Sequence, residues 1–161
     1  MMRSSDGGIA RRGAARAAAK GVRVSSLVFD AMTMTTGADS IDQQHEVLFD
    51  VINQLVAEMH AGTARDDVGM ILDDLATYAA THFSHEESCM ARFSCPAGAA
   101  NKAAHADFIR TFAGLKAEFD RQGPTATLTI RIEQELSRWI TGHILGIDVR
   151  LRPCIPAGTR A

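Results

Sequence analysis

Apolar residues recur along this chain at three- and four-residue intervals in four long segments. From about Ile41 to Met59 the stripe is Val47, Leu48, Val51, Ile52, Leu55, Val56 and Met59, the i, i+3, i+4 pattern of an amphipathic helix. Asp39 and Ser40 offer caps at its start, and Gly62 marks its end. A second segment, about Asp66 to Arg92, carries Val68, Ile71, Leu72, Leu75, Tyr78, Phe83 and Met90, with Asp66 and Asp67 suited to a helix N-terminus. Ser94, Cys95, Pro96 and Gly98 break the chain before a third, about Ala100 to Arg121, with Ala104, Phe108, Ile109, Phe112, Leu115 and Phe119. After the turn Gln122-Gly123-Pro124, a fourth runs from about Ala126 to Ile147 with Leu128, Ile132, Leu136, Trp139, Ile140 and Ile144. The β-branched Thr127, Thr129 and Ile130 weaken its first turn. Strand-like alternation is not sustained over comparable lengths. Helices this long with short connections predict an all-α, antiparallel up-down-up-down four-helix bundle.

Each helix also places an imidazole in or beside its apolar stripe. His45 shares a face with Leu48 and Phe49; THFSHEE sets His82 and Glu86 one turn apart. NKAAH does the same for Asn101 and His105, and HILGID brings Asp148 five residues after His143, where a helix end can turn a carboxylate inward. A lone histidine on an apolar face is commonly a satisfied core residue, and His82/Glu86 alone could be a surface pair. Four such residues on four successive helices are different, because unpaired polar groups in one core cost several kcal/mol. Imidazoles suit iron, zinc or copper, and a carboxylate can bridge two cations while offsetting their charge. The pattern predicts a di-metal centre in the bundle core, with His45, His82, Glu86, His105, His143 and Asp148 as ligands. No cysteine has the spacing of a thiolate zinc site. His60 lies about 22 Å along the axis from His45, too far to share its site. His85 falls on the flank, and Arg131, Glu133, Glu135 and Arg138 read as a solvated face.

These segments resemble the hemerythrin family, and specifically its bacterial members. The match runs through FDAMTMTTGADSIDQQHEVLFDVIN, THFSHEESCM, CPAGAANKAAHADF and WITGHILGID, roughly residues 27 to 150. Phe29 stands where the family usually has tryptophan. The resemblance implies two non-haem irons, bridged by carboxylates at the Glu86 and Asp148 positions. It implies that one iron, held at the His45 and His82 positions, has an open place that binds dioxygen reversibly. The other would take ligands from the positions of Asn101, His105 and His143. Ile140 resembles the apolar residue that shields the gas. Asn101 replaces a histidine of the pattern, so the second iron is expected to be more exchangeable or to bear an extra open place.

The expected function is therefore dioxygen binding for storage, delivery or scavenging, not catalysis. A redox, oxygen or iron sensor acting through a protein partner is one alternative, and a di-iron oxidase or peroxidase using peroxide or nitric oxide is another. No signalling domain and no extra acid or base beside the centre accompanies these motifs along the chain.

Charge changes the picture only at the N-terminus. Residues 1–24 hold six Lys or Arg against Asp6, leaving about −7 on the rest. This Ala/Arg-rich head is expected to be a disordered tail, although it partly fits an organelle transit peptide; a secretory signal would need an apolar stretch it lacks. The bundle is assigned to residues 25–152 and a short tail to 153–161. The net charge of −2 gives no case for nucleic acid or membrane partners. Cys89, Cys95 and Cys154 make a poor disulfide framework, so a reducing cytoplasm is expected, with Cys89 in the core.

Overall fold

The computed structural model describes residues 26–156. Among these the regular structure is helical: α1 (Ala31–Met34), α2 (Asp39–Ala61), α3 (Arg65–Arg92), α4 (Gly98–Gln122) and α5 (Ala126–Gly146), then a 3-10 segment (Asp148–Cys154). Helices α2 to α5 are the four predicted from periodicity, each within about two residues of its expected bounds at both ends. Consecutive helices pack on one another and α5 closes back on α2, as a four-helix bundle requires. The basic head falls outside the described residues. The expected C-terminal tail instead begins inside the 3-10 segment, where Pro153 and Cys154 are the last residues.

The helix ends have local causes. Gly62 is in the left-handed region (φ 66°) and its N–H returns to Glu58 and Met59 carbonyls, a conformation glycine adopts without a Cβ clash. The first residue of α2 is not capped by Asp39 or Ser40 as expected. Ala38 is the cap residue, and Asp42 reaches back to accept from the Thr36 N–H (2.7 Å) and hydroxyl (2.8 Å). Thr125 rescues the weak start of α5, its hydroxyl accepting from the Leu128 N–H at 3.2 Å.

Two apolar clusters form the interior. The larger runs down the bundle axis through Leu55, Leu72, Leu75, Phe119, Ile132 and Leu136. The smaller gathers Ile41, Met90, Cys95, Ala97 and Leu151 beneath the α3–α4 turn. Val47 and Ile109, expected inside, are 41% and 52% exposed; they lie at the edges of their stripes, where the helix face turns outward.

The cysteines depart from expectation. Cys95 and Cys154 are disulfide-bonded across 59 residues, with Cα atoms 5.5 Å apart, and the argument for a reducing compartment loses its basis. Sequence spacing could not reveal the pair, because it exists only once the 3-10 segment folds under the α3–α4 turn. Cys89 is free and half-buried against the same cluster. Burial pushes its thiol pKa up; Arg92 opposes that and Glu86 adds to it. No helix among the described residues is long and apolar enough to cross a membrane.

Candidate metal centre

The six predicted ligands come together at one end of the bundle. His45 projects from α2, His82 and Glu86 from α3, His105 from α4 and His143 from α5. Asp148 opens the 3-10 segment. All six are buried, Glu86 and Asp148 completely. Asp148 reaches the core because α5 stops at Gly146: Ile147 leaves helical geometry (φ −125°), and its N–H still bonds to the His143 carbonyl. That bend turns the chain under the bundle. Arg152 then ties the segment down through Thr35, Nε donating to the carbonyl oxygen at 3.1 Å and Nη2 to the hydroxyl at 2.7 Å.

Both carboxylates straddle the core. Asp148 presents Oδ2 to His45 Nε2 at 3.4 Å and Oδ1 to His143 Nε2 at 3.0 Å. Glu86 presents Oε1 towards His45 Nε2 at 3.9 Å and Oε2 to His105 Nε2 at 3.3 Å. Two sets of potential metal ligands result: His45, His82 and Glu86 on one side, and Glu86, His105, His143 and Asp148 on the other. They share Glu86.

Residues around this core set the tautomers. The His82 Nδ1–H donates to Gln44 Oε1 at 3.1 Å, and the same oxygen accepts from His85 Nδ1 at 3.1 Å. The His105 Nδ1–H donates to Glu87 Oε1 at 3.0 Å. With Nδ1 protonated, the neutral rings of His82 and His105 keep their lone pairs on Nε2, the form that binds a metal. Neither Gln44 nor Glu87 was singled out in the sequence. Each is adjacent to a predicted ligand, but its role depends on a neighbouring helix. Phe83 stacks on His105 (3.9 Å between centroids) and Trp139 on His143 (4.4 Å), fixing ring planes. Phe29 packs against His45 and Phe49 at 6.2 and 5.9 Å.

The protein alone does not satisfy this arrangement. His105 Nε2 faces His143 Nε2 at 3.0 Å, so two lone pairs would meet unless a proton or cation lies between them. His45 Nδ1 and Nε2, Glu86 Oε1, Asn101 Oδ1 and both Asp148 oxygens are buried without a hydrogen-bond partner. Each such group costs about 1–3 kcal/mol. A cation shared by imidazoles and carboxylates resolves the deficit at His45 Nε2 and the carboxylate oxygens, and the donor set fits divalent iron.

The titration of the metal-free site reflects the same crowding. Burial, then the charge of His45, lowers His82 to about 3. Burial also works against a charged His105, but hydrogen bonds to Glu86 and Glu87 outweigh it and raise the pKa. Burial would raise Asp148, yet contacts with His143 and His45 hold it at about 2.

Residues 36–155 match the family model described as the hemerythrin HHE cation binding domain. The chain belongs to the hemerythrin family. Bacteriohemerythrin of Stenotrophomonas maltophilia is 33% identical over 116 residues, 71% of this chain and 72% of that protein. Bacteriohemerythrin of Methylococcus capsulatus is 28% identical over 135 residues, 81% and 98% of the two chains. A crystal structure of wild-type hemerythrin superimposes with a TM-score of 0.72 at 27% identity, covering 81% of this chain and 98% of that one. Hemerythrin membership implies non-haem iron binding, and the His/Glu/Asp groups here are candidate ligands for it.

The other polar residues sort differently. His60 is remote from the centre, bonded through Nε2 to Glu133 Oε2 at 2.8 Å across α2 and α5. Glu133 is therefore not part of a purely solvated face. Arg131 and Arg138 pair with Glu118 and Glu135 at the surface. His85 is exposed and reaches the centre only through Gln44.

Proposed function

We propose that this protein holds two non-haem irons and binds dioxygen reversibly, on the side of His45 and His82. The observation that carries this reading is the pair of carboxylates whose two oxygens face opposite halves of one buried imidazole cluster. His45 and His82 would hold one iron, His105 and His143 the other, with Glu86 and Asp148 bridging them. Such a pair, when bound, supplies the two electrons that reversible dioxygen binding requires.

The chain's own residues provide the setting. His45 and His82 supply two imidazoles beside the shared carboxylates, which leaves room on that side for a further ligand. Gln44 holds the His82 ring with Nε2 directed at the centre. Leu48, Ala79, Phe83, Trp139 and Ile140 line a small apolar cavity within the bundle, and Ile140 is 2% exposed. These side chains keep bulk water from that part of the core, which disfavours proton leakage and irreversible loss of the bound gas as peroxide.

The test is spectroscopic. Iron-loaded protein is reduced without air, exposed to dioxygen, then flushed with argon. A visible band that appears with dioxygen and disappears with argon is the expected result. Irreversible conversion to a ferric product, with turnover of added reductant, would replace binding by oxidase chemistry.

A further inference from the structure

The two halves of the centre differ at Asn101. This side chain is completely buried in the first turn of α4, one turn before His105. Its amide nitrogen donates to Glu86 Oε2 at 3.2 Å, which fixes the amide's orientation, because the reversed orientation would set its oxygen against a carboxylate. Asn101 Oδ1 is left buried with no protein donor in reach. It lies in the same core as Glu86, His105, His143 and Asp148, yet an amide ends well short of the depth an imidazole Nε2 reaches from the same backbone.

We propose that Asn101 Oδ1 holds a small hydroxylic ligand, water at rest, on the cation between His105 and His143. An amide oxygen needs a donor when buried, and the cation on this side receives two imidazoles and two carboxylate oxygens from the protein. A ligand O–H pointing at Oδ1 satisfies both. Asn101 is then a positioning residue with two tasks: its nitrogen steadies the bridging Glu86, and its oxygen accepts a hydrogen bond from the exchangeable water. The centre thereby offers an exchangeable place on each half, where a histidine at position 101 would close one of them. This inference rests on the two-iron reading above.

Calorimetric titration with cobalt(II) and azide titration of the ferric protein test it together. The parent protein is expected to bind two cobalt ions and, when ferric, a second azide beyond the one on the His45/His82 side. Asn101→His should bind the second cobalt about tenfold more tightly or better and lose the second azide. Asn101→Ala should keep both cobalt ions, the second weakened about 10–100-fold by loss of the amide that steadies Glu86, and keep both azides. Loss of the second cobalt in Asn101→Ala would mean that Oδ1 itself ligates, and would overturn the proposal. So would a single azide in the parent protein. Circular dichroism of the metal-free variants separates misfolding from these outcomes. Failure of every form to bind cobalt would instead overturn the two-iron reading.

Discussion

At the scale of single residues, protonation and metal compete for the same atoms. In the chelator-treated protein His82 is lowered to about 3 by burial and by His45, whereas an unfolded histidine titrates near about 6.5. The unfolded chain takes up that proton first as pH falls. His82 therefore contributes stability above about pH 6.5 that is lost between there and about pH 3. Asp148, held at about 2, adds a loss from about pH 3.8 downwards. His105 has the opposite sign: its raised value stabilises fully below about pH 6.5, and that contribution fades as pH rises through the folded value. Thermal melts of the metal-free protein should decline steadily from pH 6.5 to 4, and His82→Gln should decline less. An equal slope in the variant would contradict the assignment. Gln44 supports metal binding through the ring it orients; Gln44→Ala should weaken the first cobalt ion about 10–100-fold in calorimetry while leaving helicity unchanged.

At the scale of elements, the 3-10 segment carries the last of the candidate ligands, Asp148. Asp148 is its first residue, Cys154 its last, and the bond to Cys95 anchors it beneath the α3–α4 turn. Closing a loop of 59 residues stabilises by about 2–4 kcal/mol. Cys154→Ser should lower the denaturation free energy by that amount, read by urea titration. It should also weaken metal binding beyond the effect of Thr125→Ala, which removes a helix cap worth about 1 kcal/mol far from Asp148. Equal metal affinity in the two variants would show that the segment holds its place without the disulfide. This element was only half legible in the sequence. HILGID placed Asp148 near a helix end, and the structure adds the bend at Ile147 that aims it. The disulfide and the Arg152–Thr35 contacts join residues far apart in the chain, so no local pattern announces them.

At the scale of the whole molecule, the bundle and its buried histidine cluster were readable for the same reason. Helical period fixes which residues share a face, so buried His45, His82, His105 and His143 could be placed from spacing alone. Edge positions such as Val47 and Ile109 were not, because a stripe's margin depends on how neighbouring helices tilt. The outer partners Gln44 and Glu87 escaped for a related reason: each acts across a helix–helix contact. Since the candidate ligands come from all four bundle helices and the 3-10 segment, metal binding should be strongly linked to folding. Metal in hundredfold excess over its dissociation constant adds about 2.7 kcal/mol, expected to raise the melting temperature by roughly 10 °C. Chelation should reverse the shift.

The proposed function rests on a pair of irons in one buried site. Mössbauer spectroscopy of protein loaded anaerobically with iron-57 reads this most directly. Two ferrous environments of equal area, at two irons per chain, are predicted, with their difference widened in Asn101→His, where one half gains a third imidazole. A single iron environment at one iron per chain would contradict the account.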